Sequence, residues 1–315
     1  MAKQKVEEKF KYKSPTTLQK NLKKNIALYS MILPGFVLIL VFSYFPMYGI
    51  TMAFQNFRPN LGFFNSPFVG LVHFERIFSD VLFRRAFWNT LILGILTIIF
   101  SFPAPIILSL LFNEIKHSKY KKFAQTVSYM PFFLSTVIVI GLLRDMLSVS
   151  TGAVNIGLAA LGFERINFFL RADWFRTLFI GTGIWQGVGY GSIIYLAAIS
   201  GINPELYEAA IIDGANRFKQ VIYITIPSIL PTIVILFIFA MGGILGNDWQ
   251  RILLMYNPAI YSTSDVVGTY VYRMGIEGAS ASYAAAVGFS MSLISVVFLV
   301  VTNYAAKKLG ETSLW

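Results

Sequence analysis

Six apolar stretches, each long enough to cross a bilayer, constrain this 315-residue chain more than any other feature. They lie near residues 26 to 54, 86 to 113, 123 to 147, 173 to 200, 220 to 245 and 282 to 306. A helix rises 1.5 Å per residue, so about 20 apolar residues cross a hydrocarbon core ~30 Å thick. Because lipid offers no partner to a backbone N–H or C=O, the stretches predict an all-α integral membrane protein with six transmembrane helices. Composition agrees, with 56% hydrophobic and only 13% charged residues, an apolar excess beyond what a soluble domain uses.

The second and fourth stretches are the least uniform. Pro103 and Pro105 interrupt one, while Trp185, Gln186 and five glycines between 181 and 191 make the other more polar. Such residues survive in a bilayer where neighbouring helices or water satisfy the freed backbone, so these two helices are expected to face protein or a wet cavity. The chain has no cysteine, which excludes a disulfide framework, a thiolate nucleophile and a Cys metal site. His73 and His117 are its two imidazoles, and neither has a metal-like partner at helical spacing.

Charge sets the orientation. All 15 lysines fall in the 1–25 tail, the 114–122 loop, the 201–219 loop or the end after 306. With Arg217 that side carries 16 basic and 7 acidic residues, against 10 and 8 on the other. The Lys-rich side is therefore expected to be cytoplasmic, with both termini inside. The basic balance reflects topology and contact with anionic membrane lipid, and no nucleic-acid partner is expected. The expected organisation is a basic tail over 1–25, a transmembrane domain over 26–306 and a cytoplasmic tail over 307–315. The first 25 residues hold eight lysines and no apolar core of a signal peptide, so the first span is expected to be an uncleaved anchor. Segment 14–29 reads equally as a helix on the inner leaflet or as a solvated basic tail.

Between the fourth and fifth spans lies a short polar interruption. Asn203-Pro204 reads as an N-cap followed by proline at the first helical position, with Glu205 near the positive end of the dipole. At 100° per residue, Glu205, Glu208, Ala209 and Asp213 share one arc, and Leu206, Tyr207, Ala210 and Ile211 share the other. The helix is too short to span. Ala209 and Ala210 permit close approach to another surface, and Gly214 lets the chain turn back toward the membrane. Amphipathicity alone favours an interfacial connector between two spans over a docking element.

The spacing carries more information. Glu208-Ala209-Ala210, three residues, Gly214, nine residues, then Ile224-Thr225-Ile226-Pro227 resembles the signature loop of ABC importer permeases, with Ile226 in place of the usual Leu. Leu33-Pro34-Gly35, Tyr44 to Ile50, Phe102 to Pro105, Leu111 to Ile115, Ser192 to Ala198 and Tyr256-Asn257-Pro258 look like the polysaccharide and oligosaccharide subfamily related to the maltose-type permeases. The resemblance implies half of a heterodimeric pathway in a bacterial cytoplasmic membrane. It also implies a homologous second permease subunit, a dimer of cytoplasmic ABC ATPases and an extracytoplasmic binding protein that delivers oligosaccharide. The coupling helix near 204–216 would carry Glu205, Glu208, Ala209, Ala210, Asp213 and Gly214 to the ATPase. The chain has no Gly-x-x-x-x-Gly-Lys-[Ser/Thr] loop, so it is expected to be non-catalytic, with no cofactor of its own and with ATP and Mg²⁺ on the partner ATPase.

For the substrate pathway, Trp185, Gln186 and Tyr190 on the fourth span, with Asn89 and Asn247 near the outer ends of the second and fifth, offer aromatic faces and amides to a sugar. Aromatic and small residues in membrane helices also serve as interface anchors and packing contacts. The outer arginines, including Arg85, Arg251 and Arg273, fit an acidic saccharide and ordinary loop ion pairs equally well. A self-sufficient secondary transporter is the alternative, but it would be expected to bury ionisable residues mid-membrane.

Overall fold

The computed structural model describes residues 25–308 and 313–314. The basic tail, most of the 14–29 segment and most of the 307–315 tail lie outside the described residues. The chain divides at Met52 into two compact units.

In the first unit, α1 (Ile26–Ile39) continues through a π-turn at Leu40–Tyr44 into a 3₁₀ stretch. The helical run Ile26–Phe54 is 29 residues long. It is apolar all round and α1 buries no side chain, as expected of a rod solvated by hydrocarbon.

The second unit holds the rest. Here α2 (Val81–Leu96), a π-turn (Thr97–Ser101) and α3 (Pro103–Glu114) form one 34-residue apolar span. Pro103 and Pro105 sit in the first turn of α3, where their missing N–H groups cost least. Next, α4 (Ser118–Tyr129) and α5 (Thr136–Met146) meet at 99° through a 3₁₀ turn, Met130–Phe133. This corrects the straight span expected over 123–147. Pro131 starts the 3₁₀ turn, Leu134 is extended, and Ser135 opens a new helix by accepting the Ile138 N–H at 3.3 Å.

α6 (Ala172–Ser200) follows, 29 residues without a break. It leads directly into α7 (Pro204–Ile212). α8 (Arg217–Gln220), a π-turn (Val221–Thr225) and α9 (Ile226–Gly242) then make a 26-residue span. Two short helices, α10 (Trp249–Met255) and α11 (Val267–Tyr272), precede the long α12 (Ala281–Lys308). Among the described residues, four helices are long and apolar enough to cross a membrane, and the bent α4–α5 pair brings the number to five if it counts as one span. α6 has the length, but its composition keeps it out of that group.

Packing places one end of the bundle beside α7. α6 lies along α3, and α9 lies along α12. Glu114 at the end of α3 comes within 4.0 Å of Arg217 at the start of α8, so α2 and α6 both begin at the opposite end. One buried cluster, including Ala86, Tyr270, Tyr283 and Val287, joins α2, α11 and α12. A second, including Leu93, Phe175, Phe179, Ile252 and Met255, joins α2, α6 and α10. Where α6 crosses α4, Gly189 lies against the Ser128 carbonyl so closely that a Cβ would collide with backbone; only glycine allows that crossing.

Candidate functional site

Two features stand out: the α7 element and a cavity inside the bundle. Asn203 Oδ1 accepts the Glu205 N–H at 3.1 Å, so the cap forms as the sequence predicts, with Pro204 behind it. At the other end Ala215 N–H donates to the Ala210 carbonyl at 2.8 Å and Gly214 N–H to the Ile211 carbonyl at 3.0 Å. This double closure is a Schellman motif, and it puts Gly214 at φ +78°, which explains the glycine.

On α7, Glu205, Glu208 and Ala209 are exposed, as is Asp213 just beyond it; Ala210 is half-buried. Among the described residues neither Glu208 nor Asp213 has an ion-pair partner. The inward arc is narrower than the helical wheel predicts. Tyr207 and Ala210 turn inward, whereas Leu206, Ile211 and Ile212 are exposed, as are Phe218 and Tyr223 beyond the turn. Both the carboxylates and most of the large apolar side chains of this element are thus uncovered.

The cavity measures about 630 Å³ and lies between α2, α3, α6, α9 and α10, with Gly94, Ser101, Pro105, Tyr195, Asn247 and Arg251 among its walls. It is mostly apolar. Its polar lining includes a cation: the Arg251 side chain is only 12% exposed, and its Nη2 donates to Gln186 Oε1 at 2.9 Å and pairs with Asp248 at 3.2 Å. Gly183 makes room, since a Cβ there would come 2.8 Å from Arg251 Nη1. Gln186 Nε2 in turn donates to the Leu134 carbonyl at 2.9 Å, the group left free by the α4–α5 break.

The five residues predicted for the pathway therefore separate. Asn247 lines the cavity and donates to the Thr90 carbonyl at 2.9 Å. Gln186 is no bare amide: it is buried and bonded at both ends, and it acts by holding Arg251. Trp185 is half-exposed and outside the cavity wall. Tyr190 stacks on Phe132, with centroids 3.9 Å apart and planes at 4°. Asn89 is buried and structural, donating to the Ser262 and Asp265 carbonyls at 3.1 Å. Among the outer arginines, Arg251 is set apart by its place beside Gln186, which depends on a contact 65 residues away in sequence that no local pattern signals.

At the end opposite α7, buried Asp265 accepts two bonds from Arg273, each 2.8 Å, and one from Thr269 at 2.9 Å. The Asp265 carboxylate raises the Arg273 pKa through that paired hydrogen bond. Asp80 caps α2 and accepts from the Tyr270 hydroxyl at 2.6 Å and the Tyr283 hydroxyl at 3.2 Å. Burial pulls the Asp80 pKa up, but the bonds from Tyr270, the Phe83 and Leu82 N–H groups and Tyr283 outweigh it and hold the group below the usual 3.8.

An uncovered acidic and apolar helix at one end of a bundle of apolar spans matches a known family over residues 76–311, described as the inner membrane component of binding-protein-dependent transport systems. The chain belongs to that family. It is a multi-pass membrane permease and a non-catalytic subunit of an ABC importer. Protein LplB of Bacillus subtilis (strain 168) is 40% identical over 294 residues, 93% of this chain and 92% of that one. The polygalacturonan/rhamnogalacturonan transport system permease protein YteP of the same organism is 42% identical, covering 91% and 90%. A solved bacterial ABC transporter involved in import of the acidic polysaccharide alginate has a chain 41% identical, with a TM-score of 0.86 over 93% of this chain and 99% of that one. A second structure, of a bacterial alginate ABC transporter in complex with alginate pentasaccharide-bound periplasmic protein, aligns at 40% identity and TM-score 0.87, covering 94% and 99%.

Proposed function

We propose that this permease imports saccharide as one of two homologous membrane subunits, powered by a dimer of cytoplasmic ABC ATPases and supplied by an extracytoplasmic binding protein. The relatives whose names give a cargo carry oligo- or polysaccharides, which supports the cargo class. The observation that carries the mechanism is α7: a capped, exposed helix whose Glu208 carboxylate has no ion-pair partner among the described residues. In this reading Glu208 meets a basic residue in a groove of the ATPase, Ala209 and Ala210 let the surfaces approach, and Glu205, Asp213 and Gly214 shape the rest of the contact. ATPase closure then moves the element as a rigid body and switches the spans between inward-open and outward-open arrangements.

The six spans of this reading are the Ile26–Phe54 run, α2–α3, the broken α4–α5 pair, α6, α8–α9 and α12, with both termini and α7 in the cytoplasm. The cavity walled by Asn247 and Arg251 forms part of the saccharide path. A guanidinium oriented by Gln186 and Asp248 offers donors to sugar oxygens in an apolar chamber.

Replacing Glu208 with Lys decides the matter. Expected is loss of ATP-dependent uptake with the subunit still folded and inserted; unchanged uptake would refute the assignment. Ala209→Cys should crosslink to the ATPase, and no crosslink in the assembled transporter counts equally against it.

A further inference from the structure

α7 is attached to the bundle by remarkably few groups for an element that is to transmit force. Among the described residues it makes no extended contact with another helix. Its half-buried side chains are Tyr207 and Ala210. Its one side-chain hydrogen bond to another element joins the Tyr207 hydroxyl to Thr225 Oγ1, at 2.9 Å. Thr225 is buried, 1% exposed, and its Oγ1 also lies 3.4 Å from the Gln220 carbonyl. Each hydroxyl has one proton, so when Thr225 donates to Gln220, Tyr207 donates to Thr225. Buried Gln220 extends the chain by donating Nε2 to the Ala215 carbonyl at 3.0 Å. A closed ring results, running from α7 through the Schellman turn and α8 to the π-turn and back to Tyr207.

The position of Thr225 gives the ring its significance. Val221–Thr225 is a π-turn, with Ile226 N–H donating to the Val221 carbonyl five residues back. Pro227 supplies no N–H, and its ring crowds the carbonyl four residues earlier, so local widening relieves the clash. Such a turn is the compliant joint between α8 and the rod of α9. Thr225 is its last residue, next to α9. A displacement of α7 carried by Tyr207 therefore reaches α9 directly, while one carried by the chain alone would pass through the 213–216 turn and the π-turn, each able to absorb it.

We infer that Tyr207 is a positioning residue for coupling: its hydroxyl ties α7 to Thr225 so that α7 and the fifth span move as one body. The inference rests on the coupling role proposed for α7. The chain lacks cysteine, so spin labels can be placed on Ile212→Cys and Ser228→Cys in the assembled transporter in nanodiscs. The distance between them is measured without nucleotide and with Mg-ATP and vanadate. The unmodified pair and Thr225→Ser, which keeps the hydroxyl, are expected to hold one distance in both states. Tyr207→Phe and Thr225→Val are expected to split the distance only with nucleotide, the tied population falling about fivefold, the effect of one neutral hydrogen bond. ATP hydrolysis continues. An unchanged distance in Tyr207→Phe overturns the inference, and so does a split already present without nucleotide, which would mark a merely structural bond. If Ala209→Cys fails to crosslink to the ATPase, the coupling role falls and this inference with it. If it crosslinks while Tyr207→Phe holds its distance, only the role of Tyr207 falls.

Discussion

At the end of the bundle that holds buried Asp265 and half-buried Asp80, the carboxylates are met by Arg273, Thr269, Tyr270 and Tyr283 from the same chain. At the end that holds α7, Glu208 and Asp213 have no ion-pair partner among the described residues, and Ile212 stands 86% exposed beside them. The difference lies in where the carboxylates find partners. Asp265 and Asp80 are satisfied within the subunit and tie α2, α11 and α12 together. Glu208 and Asp213 are exposed and leave their hydrogen-bonding capacity open to solvent or another molecule.

That contrast can be broken in graded steps. Asp265→Ala strands the Arg273 guanidinium and should cost about 3–5 kcal/mol, read as a large fall in melting temperature of the purified subunit. Gln186→Ala leaves the Leu134 carbonyl and an Arg251 donor unmet; about 1–3 kcal/mol is expected from the same measurement. Asp80→Asn should cost about 1 kcal/mol, with a definite pH dependence. Because the folded pKa is depressed below 3.8, the carboxylate's contribution is present above the unfolded pKa. It is lost as pH falls through the lower folded value. Melts of the two forms should stay apart from neutral pH down to about 4 and converge below it. Glu208→Lys should shift stability by less than about 0.5 kcal/mol, since among the described residues no ion pair depends on that carboxylate. A destabilisation as large as that of Asp265→Ala would erase the distinction between the two ends.

Much of this was legible from local pattern. The rod of α1, the α2–α3 span, α9 and α12 follow from long apolar runs, the second holding together despite Pro103 and Pro105, and the Asn203-Pro204 start and Gly214 stop of α7 follow from capping chemistry. The α4–α5 break was not legible, because Pro131 sits among Phe and Leu and an apolar run reads the same whether straight or bent. The outward turn of Leu206 and Ile211 escaped the helical wheel, because a wheel ranks faces by polarity and does not say which face the rest of the chain covers. Trp185, Gln186 and Tyr190 do not share one face, for a geometric reason. Gln186 points inward to Arg251, while its neighbours look elsewhere.

The bend between α4 and α5 exposes one carbonyl, Leu134, and the Gln186 amide occupies it. Were the bend to open into a continuous helix, that oxygen would return to its own backbone ladder and the amide would be released. Arg251 would then lose one of its two anchors and keep only Asp248. A single amide thus links the shape of one membrane segment to the aim of a cation in the chamber beside it.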